Sequence, residues 1–214
     1  MPESEVDLRG LEPGTAPPRD ALTGSIRDAE HVVVRGGVPA LAAVLAHLWR
    51  SDQLPAVSVS WDPADDDASV GLARDLGIGT GSERQLPLVR DDHGGVLLHH
   101  GRIEAVAADA ADGRRRLGGL VRPRRFGAQA HHDDARVADG DISRIEARPD
   151  WSRVDTLGVS VVTVPLRPAR HTLGRALQVA CDPAQVTRDG VPMPRPVSRW
   201  TWYADDRVRW VLRP

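Results

Sequence analysis

Residues 31–48, HVVVRGGVPALAAVLAHL, leave this chain few choices of fold. A compact valine run predicts a buried strand of a covered parallel sheet, and Gly36 and Gly37 supply a tight corner. Pro39 suits a first helical turn, and Leu41, Leu45, Leu48 and Trp49 recur at i, i+4, i+7 and i+8 as one apolar stripe. A helix packed on a sheet is the consequence. Val57, Val59 and Trp61 then alternate with Ser58 and Ser60 at the period of a second strand. Asp62 and Pro63 are expected to cap a further helix, with Asp65, Asp66 and Asp67 near its positive end and Gly77 closing it. With a short helix over Ala21 to Ala29, residues 20–82 read as a truncated β-α-β-α domain. Residues 1–19, rich in Pro, Gly and charge, have no periodicity and are expected to form a flexible tail.

Beyond Gly81 the pattern changes to short apolar segments separated by turns. Leu86 to Arg90, Val96 to Ile103, Leu117 to Val121, Ala135 to Ala147, Leu157 to Val164 and Ala176 to Ala180 are expected strands. Turn signals stand at Asp112-Gly113, Gly140-Asp141 and Asp189-Gly190. A closing hairpin across Asp205-Asp206 would place Trp200, Trp202, Trp210 and Leu212 inward. Residues 83–214 are thus expected to be a β-sandwich domain with the tryptophans in its core.

Composition removes several classes of function. A net charge of −2 over 214 residues argues against nucleic acid as a partner. All 28 basic residues are arginine, so Schiff-base chemistry and a lysine-based phosphate loop are both excluded. Asparagine is also missing, a bias of the kind that GC-rich actinobacterial coding produces. Cys181 is the single cysteine, which excludes an internal disulfide and fits a reducing, cytoplasmic setting. The start carries acids and prolines in place of a signal peptide, and no apolar run approaches the length of a transmembrane segment.

Four features invite a chemical reading. The Arg-Gly-Gly corner could cradle phosphate, because glycines allow close approach and free N–H groups at a helix start attract anions; Pro39, however, removes one such donor. The His-rich spots, DDHGG at 91–95, HH at 99–100 and HHDD at 131–134, could supply metal ligands. Adjacent strand residues point to opposite faces, so solvated loops and no metal site are expected. RRRLGGLVRPRRF at 114–126 could meet lipid head groups, or simply charge two edge strands. Ser, His and Asp are present without a G-x-S-x-G elbow, and Cys181 lacks a cationic neighbour in sequence that would activate it.

The order of these pieces resembles the diacylglycerol-kinase-like lipid kinases, of the superfamily shared with NAD kinases. The residues that carry the resemblance are the GG corner between strand and helix, the helix close LARDLGI, and the ending DGVPMPRPVSRWTWYADDRVRWVLRP with its DGxP turn and terminal VLxP. It spans about residues 30–214 and implies a Rossmann-like ATP-binding domain followed by a β-sandwich that shapes a lipid site. Laid on the family's GGDGTLNEVVNGL, the chain keeps Gly36, Gly37, Leu41, Val44 and Leu48. It has Val38 in place of aspartate, Ala40 in place of threonine and Ala43 in place of glutamate. DASVG at 67–71 stands where the family's GTGND is expected, and FGAQAHHDDA is similar to a strand leading to a loop acid, matched here by Asp133 or Asp134.

The resemblance therefore implies a lipid-kinase-like protein that has lost phosphoryl transfer and binds a lipid, another small molecule or a partner. No cofactor is expected. Gly36 and Gly37 would be a degenerate nucleotide site. An active kinase remains the alternative, with Asp133 or Asp134 as base, part of the Asp62 to Asp67 run for magnesium, and Mg and ATP as cofactors; a metal-binding module or hydrolase built on the His and Asp clusters is a further one. Peripheral association with a membrane and homo-oligomer formation are compatible with either.

Overall fold

The computed structural model of the chain describes residues 3–12, 14–107, 124–153, 155–164 and 168–213. Its first element corrects the expected tail over residues 1–19. Strand β1 (Glu3–Asp7) pairs in parallel with β2 (His31–Gly36), from Glu3 opposite His31 to Asp7 opposite Arg35. Val6, 3% exposed, is the side chain that ties it to the core, while Glu3, Glu5 and Asp7 face outward. An edge strand tolerates that much charge, so a segment with one inward valine shows no hydrophobic period in its sequence.

Helix α1 (Arg19–Ile26) buries Leu22 and Ile26, and α2 (Val38–Arg50) lays its expected leucine stripe on Val32 and Val34 of β2. Strand β3 (Ser58–Pro63) extends the parallel sheet beside β2, adding Val59 and Trp61 to the same core. Asp62 and Pro63 belong to this strand, not to a helix start. Helix α3 (Asp67–Leu76) is capped instead by Asp66, whose Oδ1 accepts the Ser69 N–H at 3.0 Å, and Gly77 closes it in the left-handed region at φ 70°.

The rest is nearly all sheet: β4 (Arg84–Asp91), β5 (Gly101–Ala105), β6 (Phe126–His132), β7 (Ala135–Ile142), β8 (Arg144–Pro149), β9 (Leu157–Val162), β10 (Arg170–Gly174), β11 (Ala176–Arg188), β12 (Val191–Pro192) and β13 (Val197–Leu212). A continuous hydrogen-bonded path runs β1-β2-β3-β13-β11-β5-β8-β9-β10, with β4 on β13, β12 and β6 on β11, and β7 on β6. The β-rich part curls until β10 meets β6, where His132 Nδ1 and Thr172 Oγ1 are 2.7 Å apart. Strand β11 exchanges β6 for β5 as its neighbour near Pro183, which has no N–H to give to a ladder.

Three strand expectations change. The closing hairpin does not form: β13 is one strand whose ladder to β4 shifts between Asp205 and Arg209. Asp205 turns the would-be corner into a bulge by accepting hydrogen bonds from Arg90 Nε at 2.8 Å, Tyr203 Oη at 2.9 Å and Arg207 N at 3.0 Å. Gly140-Asp141 lies within β7, and the strand expected over Ala135 to Ala147 divides at Ser143 as pairing passes from β6 to β5. Val96 to His100 is not strand, for a reason that belongs to the site below. Leu117 to Val121, Asp112-Gly113 and most of the arginine-rich segment lie outside the described residues.

Two apolar clusters result. The first unites α1–α3 and β1–β3 with Leu86, Leu88, Trp210 and Leu212; the second holds Trp200 and Trp202 within the β-rich part. Trp210 therefore packs in the α/β core, not in the sandwich core with the other two, and β13 carries the sheet across the expected division at residue 83. The architecture is a small α/β part followed by a β-rich part.

Candidate functional site

Parallel strands leave a crevice beyond their carboxyl ends, and ligands of open α/β sheets bind there. Here the chain leaves β1 at Leu8, β2 at Gly37 and β3 at Ala64, and these residues line a cavity of about 570 Å³. Leu8, Arg9, Leu11, Glu12, Gly14 and Thr15 form one wall, the start of α2 forms the floor, and His99, His100, Asp189 and Gly190 of the β-rich part complete it.

The glycine corner works by packing. A β-carbon on Gly36, whose φ is +140°, would stand 3.1 Å from Ala40 Cβ and 3.2 Å from the Leu8 carbonyl, so the close approach of β1 to the α2 start needs glycine. Beyond Gly37, the N–H groups at the helix start are unavailable to a phosphate. Val38 N donates to Ser69 Oγ at 3.2 Å, Pro39 has none, and Ala40 and Leu41 donate to the Gly37 carbonyl at 2.9 and 3.4 Å. Ser69 Oγ in turn donates to Asp66 Oδ2 at 2.7 Å. Asp66 thereby brings a carboxylate to the helix start, within 3.6 Å of where a Gly37 β-carbon would lie. Val38 and Ala40 are buried and line the cavity, so the positions where the resembled family has aspartate and threonine are apolar here.

The opposite wall is shaped by Asp189. Its carboxylate accepts N–H groups from Leu98 at 2.9 Å, His99 at 2.8 Å and His100 at 2.9 Å, and its own N–H donates to the His100 carbonyl. These bonds replace a β-ladder over residues 98–100 and bring His99 and His100 to the cavity wall. Burial pushes the Asp189 carboxyl above its ordinary range, against the three N–H donors that favour its ionised form. Burial and the nearby Arg148 lower the His100 pKa, which keeps that ring neutral at pH 7. On the strand side, Arg9 is spent on Asp7, with Nε 3.0 Å from Oδ1; this pairing holds the Asp7 carboxyl down at about 2.

The other sequence candidates lie elsewhere. Asp133 sits in the β6–β7 turn at φ 52°, its carboxylate accepting Arg175 N at 3.0 Å and Ala176 N at 2.8 Å, and Asp134 is exposed beside it. Neither lines the cavity. Asp91, Asp92 and His93 offer ligand atoms within 4.8 Å of one another. Asp91 is saturated, however, by His93 N, Gly95 N and an ion pair with Arg188 at 2.5 Å, and the His93 ring stacks on Trp200. Cys181 is half-buried, and burial pushes its thiol up to about 11, so it stays protonated at neutral pH. Among the described residues no helix is long and apolar enough to cross a membrane.

The site residues that sequence reasoning missed are Arg9, Glu12, Asp189 and the wall function of His99 and His100. The Asp189-Gly190 turn signal was visible, but its reach to residues 98–100 is a long-range contact that no local pattern encodes.

No family model matches the chain, and no curated protein matches its sequence. Its fold is nonetheless found among solved structures. One is a diacylglycerol kinase from Bacillus anthracis strain Sterne, with a TM-score of 0.62 and 10% identity over 87% of this chain and 78% of that one. Another is an NAD kinase from Archaeoglobus fulgidus in complex with ATP, with a TM-score of 0.51 and 12% identity over 86% and 78%. At such identities the likeness is one of fold.

Proposed function

We propose that this chain is a ligand-binding module built on the fold of diacylglycerol and NAD kinases, without ATP-dependent phosphoryl transfer. The observation that carries the reading is the state of the α2 start. Phosphoryl transfer depends on donors and cations set around the phosphates. Here one N–H is absent, two close on the Gly37 carbonyl and one is taken by Ser69, while Asp66 adds negative charge. Mg and ATP do not fit these residues. A cavity of about 570 Å³ lies within the usual size range of small-molecule sites, which supports retention of binding. The kinase alternative asks Asp133 or Asp134 to act as base, and Asp133 is occupied by two backbone N–H groups away from the cavity.

Isothermal calorimetry with magnesium-ATP at high protein concentration tests the reading. Binding no tighter than about millimolar, near 4 kcal/mol, is expected. Micromolar binding that disappears in Gly37→Asp, or magnesium-dependent phosphorylation of diacylglycerol by the purified chain, would overturn it.

A further inference from the structure

The charge around the cavity is opposite in sign to that of a phosphate site. Arg9, the one arginine among the described residues that line it, is neutralised by Asp7 at 2.5 Å. Glu12 and Asp66, by contrast, meet no cationic side chain among the described residues, although both line the space. The remaining wall is apolar, from Leu8, Leu11, Val38 and Ala68, and His99 brings a half-buried imidazole that has no side-chain partner among the described residues. An anion entering here would approach two carboxylates with no free cation among the described lining residues to receive it. A cation would gain from both.

We infer that the cavity takes small organic ammonium ions with an apolar body. Leu8, Leu11, Val38 and Ala68 cover the body, Glu12 and Asp66 attract the ammonium group, and His99 supplies a hydrogen bond. This rests on the reading of the cavity as a ligand site without phosphate chemistry. It goes further by fixing the sign of the ligand's charge.

Three probes of matched size separate charge from shape: 2-phenylethylamine, 2-phenylethanol and phenylacetate, titrated into the full chain at low ionic strength and followed by NMR shifts of the His99 ring. Each partly exposed ion pair contributes at most about 1 kcal/mol, or roughly fivefold. With two carboxylates the amine should bind on the order of tenfold more tightly than phenylacetate, and the alcohol should fall between. The double variant Glu12→Gln/Asp66→Asn should bring the amine level with the alcohol; asparagine preserves the α3 cap, and circular dichroism checks the fold. Phenylacetate binding as tightly as the amine, a preference that survives the double variant, or no response at His99 to any probe would each overturn the inference. Magnesium-ATP titrated into the same sample keeps the two readings apart, because micromolar ATP binding would overturn the non-kinase reading whatever the amine does.

Discussion

A single methyl group at Gly95 would land 1.0 Å from Arg188 Nη1. Arg188 reaches across this glycine to a carboxylate on Asp91 that is only 1% exposed, and the same carboxylate anchors the N–H groups of His93 and Gly95. Removing one partner of such a buried pair leaves an uncompensated charge, which costs far more than the pair itself contributes. Gly95→Ala is therefore expected to destabilise the chain by about 3–5 kcal/mol, read from urea unfolding. A loss under about 0.5 kcal/mol, as at an ordinary surface site, would mean that Arg188 is free to leave. DDHGG can be read in the sequence only as a loop with metal-ligand residue types. Its use in the structure is set by an arginine 93 positions beyond Gly95, and nothing local announces that partner.

Among the elements, β13 shows both what periodicity captures and what it misses. Alternation predicted inward-facing Trp200, Trp202, Trp210 and Leu212, and all four are buried. The hairpin was wrong because two adjacent aspartates look like a turn until Asp205 is seen to accept from Arg90, Tyr203 and Arg207. With the reversal replaced by a bulge, β13 continues beside β3 and delivers Trp210 to the α/β core. Trp210→Ala should cost about 3–5 kcal/mol, the range for deleting a large buried aromatic. Since Trp210 packs with α1–α3, hydrogen exchange should speed up first in those helices. Loss of protection confined to β5–β9 would contradict this assignment. Long periodic elements such as α2 and β2 were legible because one face of each is uniformly apolar. Strand β1 was hidden because only Val6 turns inward.

Protons link the whole molecule to its surroundings through groups spread over both parts. Burial lowers the pKa of His47 on α2, of His100 at the cavity and of His132 beneath Thr172. As pH falls through 6.5 the unfolded chain takes up protons at these positions before the folded chain does, so each contributes stability that is present above about 6.5 and lost on acidification. Asp189 acts in the opposite sense: its raised pKa lets the folded chain take up a proton first, so its contribution is greatest below 3.8 and is lost as pH rises through its folded value. The three imidazoles predict a loss of stability between pH 7.5 and 5, seen as a lower urea midpoint, and Asp189 opposes it. The variants separate the contributions. His132→Gln, at a residue 3% exposed, should flatten the profile over that range. Asp189→Asn keeps an acceptor for the 98–100 turn and tolerates the φ of 47°, but it deletes the opposing proton uptake and should steepen the loss. A His132→Gln profile that overlays that of the unaltered chain would show that this imidazole titrates alike in both states. The fold would then carry its acid sensitivity at His47 and His100 alone, the second of which the cavity exposes to whatever ligand occupies it.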